Sequence, residues 1–272
     1  MREQDKTVDV KAAHPYRFEN FNISVMMRDM RFSRSALKPG DHLPDAAMLD
    51  SQGASTTLYA LCADKPLLLI TGSITCPMTI SALPLLEPLQ VRFGDVVNFA
   101  LLYVREAHPA EHYPQPQTLE QKIENANKTR QHYGVTWPVL IDDLEGSLHQ
   151  ALDTKPNSAH LIGADGAILF QSLWAGDNAA LEQAVRQTVQ GDPISKPISQ
   201  KMMAPFLRGA GFMHEALNHA GKRAYRELAW GAPPIALLSK TASLFGFLSK
   251  NSRGLAAMVL LIVILMGVGF LF

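Results

Sequence analysis

Residues 65–79, KPLLLITGSITCPMT, decide how the rest of this chain is read. The apolar run at 66–70 has the composition of a buried strand, and the polar turn after it delivers Cys76 and Pro77 to the start of a helix. Pro77 suits the first helical position, where its missing N–H would have no partner in any case. A thiol at that spot meets unpaired N–H groups and the positive end of the helix dipole, and both favour an anion. The expectation is a cysteine of lowered pKa, acting as a thiolate nucleophile. Dithiol exchange needs a second cysteine three residues on, and that position holds Thr79. Ser73 and Thr75 add hydroxyl groups within the turn itself.

Outward from this turn, strand-like and helix-like segments alternate. Pro39-Gly40-Asp41 marks the start of a compact domain, followed by a short strand at 46–49, a turn at Ser51-Gln52-Gly53 and a short helix at 57–62. The helix that Cys76 opens extends over 77–93, and Pro84 and Pro88 inside it predict a kink or a break. A second continuous apolar run at 96–104, VVNFALLYV, suits a strand covered on both faces. A helix at 118–133 stops at Gly134, and a third strand occupies 137–141. A short helix at 144–152 and a fourth strand at 158–162 follow. Asp165-Gly166 signals a hairpin into 167–171, so the last two strands should be antiparallel. The closing helix, 177–189, turns Leu181, Ala184, Val185 and Val189 inward. This order of parallel strands, terminal hairpin and closing helix is the thioredoxin-like α/β pattern, over residues 39–191.

Both ends lie outside that pattern. Residues 1–38 form an N-terminal arm that mixes charge with a Met/Phe/Ile-rich patch, and they are too charged for a secretory signal. Residues 192–252 form a basic, amphipathic helical linker: nine Lys or Arg stand against two acids between 196 and 253, a balance that suits an anionic leaflet or packing on the domain. Residues 253–272 read as a membrane anchor, because the nineteen from Gly254 carry no charge. They would span about 28 Å as a helix against a hydrocarbon core of roughly 30 Å. Positive charge before the span and none after it predicts a tail anchor with the globular part cytoplasmic. Formal net charge is zero, so global charge names no partner and nucleic acid is not expected.

The candidate chemistry gathers at one sheet edge. Glu106 and His108 follow the second strand, and loops at the carboxyl ends of strands converge on ligands in open α/β sheets. His108 suits proton donation near neutral pH, with Glu106 orienting it. Pro156, or Asn157 in its place, stands where thioredoxin-like folds put a cis-proline beside the cysteine. Cys62 reads as a small core residue rather than a resolving thiol. No Cys–His cluster has metal-ligand spacing, so neither a metal nor a bound cofactor is expected.

The segments KPLLLITGSITCPMT, LLYVREAHP, WPVLIDDLEG and PNSAHLIGADGAILFQSLWAGD together resemble the iodothyronine deiodinase family, a branch of the thioredoxin-like redoxins. The resemblance covers residues 64–189. It implies that Cys76 stands where animal members carry selenocysteine, and that Glu106 and His108 match the family's Glu-Ala-His loop for substrate binding and proton supply. It also implies a small-molecule substrate and an external thiol reductant. Two departures stand out: sulfur replaces selenium, and Gln115-Pro116-Gln117 replaces a histidine-bearing stretch. Peroxiredoxin-type sites match only in part, with Gly72 and Ser73 where those carry Pro and Thr. Three functions follow: a membrane-tethered single-cysteine oxidoreductase of deiodinase type, a one-cysteine peroxidase, or a non-catalytic redoxin-like binding module.

Overall fold

The computed structural model describes residues 16–269. The first fifteen residues of the expected arm and the last three of the expected span lie outside that range. A short helix α1 (Ile23–Asp29) precedes the edge hairpin β1 (Ala47–Asp50) and β2 (Ser55–Thr57), then come helix α2 (Leu58–Cys62), central strand β3 (Leu67–Gly72) and helix α3 (Pro77–Phe93). Next are β4 (Asn98–Tyr103), α4 (Leu119–Tyr133), β5 (Val139–Ile141), α5 (Ser147–Ala151), the hairpin β6 (Ala159–Ile162) and β7 (Ile168–Ser172), and α6 (Asn178–Gln190). A short β8 (Ile198–Ser199) leads into four helices: α7 (Met203–Ala220), α8 (Lys222–Gly231), α9 (Pro233–Ser243) and α10 (Lys250–Gly269).

All six residues of β3 are buried, as a continuous apolar run requires when helices cover both faces of a sheet. The strand order is β2-β1-β5-β4-β3-β6-β7-β8. β3, β4 and β5 run parallel, β6 is antiparallel to β3, and β6–β7 is an antiparallel hairpin. The fold is thioredoxin-like α/β. Side chains alternate across the sheet. Leu68 and Ile70 pack on one side with α3, α4 and α6, while Leu67 and Leu69 pack on the other with α2 and α5.

The expected strands and helices occur within a few residues of their anticipated bounds, with instructive exceptions. α3 runs unbroken through Pro84 and Pro88. Both prolines are one turn apart on the exposed face, so the carbonyls they leave without an intrahelical donor can turn to water. Val189 is 43% exposed and lies off the inner face of α6. Strands β2 and β8 are too short to leave a periodic signal, and α8 falls inside the stretch read only as an amphipathic linker.

The segments flanking the sheet come together over the edge at which Cys76 stands. α7 lies along α3, with Phe212 and Ala216 against Ile80, and Gly209 leaves the space in which Met78 sits. Phe21 and Val25 of the arm pack with Met213, Leu217, Ala224 and Leu228. α10 begins against α7 and α9, where Ala257 meets Ala210, Leu238 and Ala242. Its exposed apolar length is sufficient to cross a membrane.

Candidate active site at Cys76

The turn after β3 places Cys76 at the N-cap of α3 with Pro77 as the first helical residue, as the sequence anticipates. The polar residues of the turn are satisfied beneath it. Thr75 Oγ1 donates to Glu106 Oε2 at 2.7 Å and accepts the backbone N–H of His108 at 3.2 Å. Ser73 Oγ accepts the N–H of Ala107 at 3.2 Å. Tyr103 and Asn125 donate to the other oxygen of Glu106. The cysteine turn and the Glu106–His108 loop are thus stitched together by buried hydroxyls. Glu106 does not orient the His108 ring, because its carboxylate is taken up by Tyr103, Thr75 and Asn125. Burial pushes Glu106 up to about 7, against the pull of those three hydrogen bonds.

The loop before β6 closes the other side. Thr79 Oγ1 donates to the carbonyl of Pro156 at 3.3 Å and accepts Nδ2 of Asn157 at 3.4 Å. Pro156 lies beside Cys76, but no peptide bond among the described residues is cis, which corrects that expectation. Two non-glycine residues just upstream, Asp153 and Thr154, have φ of 76° and 53°. A β-branched residue there costs roughly 1–3 kcal/mol and needs surrounding contacts to hold it. Arg105 Nη2 on the Thr154 carbonyl and Lys155 against Asp153 supply them.

Cys76 and His108 line a small cavity of about 70 Å³, together with Met78, Pro156 and Trp174. Its other wall comes from outside the sheet: Phe21, Met26 and Asp29 from the arm, and Phe206, Met213, Leu228 and Ile235 from α7, α8 and α9. That enclosure reverses the expected electrostatics. Burial raises the Cys76 thiol above its ordinary value, outweighing the Thr79 hydroxyl and the Thr79 and Met78 N–H groups that pull it down. Burial also lowers His108 to about 3, with Arg105 adding to the effect, so the imidazole is neutral at neutral pH. The closed site therefore holds a protonated thiol and a neutral histidine rather than a thiolate and an acid.

Several residues of the cavity had no sequence signal. Asp29 is buried in it, with its Oδ1 3.5 Å from Arg105 Nη2. Phe21 packs on the His108 ring with centroids 4.2 Å apart. Trp174 is the one that topology could have supplied. β7 runs in the same direction as β3, so the residues just past its end emerge at the edge where Cys76 sits. Cys62 faces the opposite side of the sheet and bonds the Tyr59 carbonyl, far from this cavity in the fold.

The type II iodothyronine deiodinase of Fundulus heteroclitus is 31% identical over 105 residues, 34% of this chain and 40% of that protein. The thyroxine 5-deiodinase of Gallus gallus is 26% identical over 113 residues, 38% of this chain and 43% of that protein. The chain thus spans about two fifths of the length of these curated relatives. Among solved structures, the thioredoxin domain of a thiol-disulfide oxidoreductase from Bacteroides vulgatus superposes with a TM-score of 0.43 at 17% identity, covering 57% of this chain and 99% of that one. The family model described as iodothyronine deiodinase matches residues 1–187, through the strand, the cysteine turn and the Glu106–His108 loop, and on that match the chain belongs to the iodothyronine deiodinase family.

Proposed function

We propose that this protein is a thiol-dependent oxidoreductase that performs reductive dehalogenation of a small apolar, aromatic substrate at Cys76. The observation that carries the reading is a single thiol at a helix start, walled by Trp174, Met78 and His108, with no second cysteine on its side of the sheet. Ligand pockets typically enclose roughly 300–1,000 Å³, so substrate entry must open the present cavity. In the opened site His108 takes the thiol proton, and the Cys76 thiolate attacks the halogen of an aryl halide. The carbon–halogen bond breaks, the carbon receives the proton from His108, and the sulfur carries the halogen. One external thiol displaces halide to give a mixed disulfide, and a second releases the disulfide and restores Cys76. The net reaction converts ArX and two RSH into ArH, RSSR and HX.

Thr75, Ser73 and Glu106 act as positioning residues that hold the two loops in register, with Pro77, Thr79 and Pro156 shaping the wall. Family membership and the helix-start thiol support this role. The long apolar α10 supports a membrane tether, with the globular part on the cytoplasmic side in keeping with the positive charge before the span.

The test is a substrate panel on the full chain with dithiothreitol: iodinated phenols, hydrogen peroxide and an organic hydroperoxide. Wild type should release iodide and form a Cys76 mixed disulfide visible by mass spectrometry, and Cys76→Ser should do neither. Turnover of peroxide alone would reassign the site to a one-cysteine peroxidase. Turnover that survives in Cys76→Ser would remove the thiol from the mechanism.

A further inference from the structure

The wall that closes over Cys76 has a second side. Leu228 and Ile235 face the cavity, and on the opposite face of the same helices the residues are exposed. Along α8 these are Lys222, Arg226 and Trp230, at i, i+4 and i+8, with Trp230 84% exposed. Along α9 and its exit they are Leu237, Lys240, Leu244 and Phe247, and Leu244 and Phe247 are 72% and 82% exposed. A cytosolic surface rarely shows this many large apolar side chains in register with cations. The pattern is that of a helix lying in a bilayer interface, with an indole at headgroup depth and basic side chains for anionic lipid.

The position of α10 names the occupant. α7 and α9 pack directly on its first turns, and exposed apolar side chains recur along the chain from Phe247 to Leu255 and Val259 of α10. If α10 enters a membrane, α8 and α9 cannot be far from its surface. Resting on that tether reading, we infer that the outer face of α8 and α9 lies on an anionic bilayer, and that the Cys76 cavity beneath it fills from that side with an apolar, membrane-partitioned molecule. The cavity fits such an occupant, since its wall is mostly Met, Phe, Leu and Ile side chains.

Trp230 offers the probe. The other two tryptophans, Trp137 and Trp174, are 4% and 7% exposed. The full chain is reconstituted in vesicles of phosphatidylcholine with phosphatidylglycerol, with and without brominated acyl chains. Brominated lipid should quench the emission, and quenching should be lost in Trp230→Phe and reduced in Lys222→Glu/Arg226→Glu. Resistance of the chain to alkaline extraction is scored separately, because it reports the tether alone. An anchored chain whose Trp230 is not quenched overturns the inference and leaves the tether standing; a chain stripped by alkali overturns both. A second arm compares labelling of Cys76 by an apolar and a sulfonated maleimide in the same vesicles, read by peptide mass spectrometry. Faster labelling by the apolar reagent supports entry from the bilayer, and equal or reversed rates, or burial of the face in a crosslinked dimer, overturn it.

Discussion

The floor of the Cys76 cavity and its roof are held by different forces. In the floor, Thr75, Ser73, Glu106, Tyr103 and Asn125 form one hydrogen-bonded network between the cysteine turn and the following loop. Any displacement there strands buried polar groups, each at about 1–3 kcal/mol. The roof is different: α1 and the helices from α7 to α9 face the cavity mainly through apolar side chains. Their polar ties lie around it, in the Asp29–Arg105 pair, Lys155 Nζ on the Arg28 carbonyl, and Arg223 and the Ala220 carbonyl against the loop after His108. Apolar contacts are non-directional and can slide without leaving a donor unpaired. The chemistry proposed for Cys76 therefore sits on the more firmly tied part, and access to it depends on the more loosely held part.

Asp29→Ala strikes this contrast hardest. It leaves the Arg105 guanidinium, 2% exposed at its side chain, without its carboxylate partner. Removing one member of a well-compensated buried pair costs about 3–5 kcal/mol. Burial already raises the Asp29 carboxyl above its ordinary value in spite of Arg105, so the cost here should lie at about 3 kcal/mol or less. Denaturant unfolding should register a loss of that order, and alkylation of Cys76 should accelerate as the roof loosens. If stability falls while alkylation stays slow, the roof opens elsewhere. Asp29→Asn keeps the shape, and should show a smaller version of both effects.

Glu106→Gln tests the floor through pH. In the folded chain Glu106 titrates near 7 instead of 4.5, so its carboxyl favours the protonated form. For a raised acid, the stability it contributes is complete below about 4.5 and is lost as pH climbs through 7. His108 works in the other direction. Lowered to about 3, it contributes stability that is present above 6.5 and lost as pH falls toward 3. Wild type should therefore lose stability on both flanks, and the difference between Glu106→Gln and wild type should grow in favour of the variant between pH 5 and 8. The ceiling on that change is about 3 kcal/mol, the free energy that separates a carboxyl titrating near 7 from one titrating at 4.5. A difference that is flat with pH would mean that Glu106 is already ionised, and that its network is wetter than its burial implies.

The same division explains what could be read in advance. The central strand, the helix-start thiol and the hairpin were legible because each leaves a local mark: a continuous apolar run, Cys76 before Pro77, Asp165 before Gly166. The roof was not, because Phe21 and Met26 meet partners such as Leu228 that lie some two hundred residues away, and no short-range period encodes that encounter. The sign of the Cys76 shift went with it. From the turn alone the helix N-terminus argues for a low pKa, and only the distant roof supplies the burial that overrides it. The partner of Glu106 was misread for a related reason. His108 is two residues away, but successive residues of the loop point in different directions, and Tyr103, on the strand below, is the one that reaches the carboxylate.

The two thiols give the smallest effect and the cleanest control. Cys62 is 0% exposed and Cys76 is 2% exposed, and burial raises the pKa of both. Their burial has different causes: Cys62 is packed in the core beneath the sheet with Leu58 and Leu148, while Cys76 is covered by the roof. Cys62→Ala removes one buried sulfur and should cost about 1 kcal/mol, with thiol-dependent turnover unchanged. Alkylation separates them further. Changes that loosen the roof without unfolding the chain, such as Asp29→Asn, should speed the labelling of Cys76 and leave Cys62 unreactive. Cys62 should react only as fast as the whole chain unfolds, since its cover is the sheet itself. Parallel labelling of both thiols in the variant would mean that roof and floor open as one unit, and the distinction between a fixed chemical floor and a yielding roof would have to be given up.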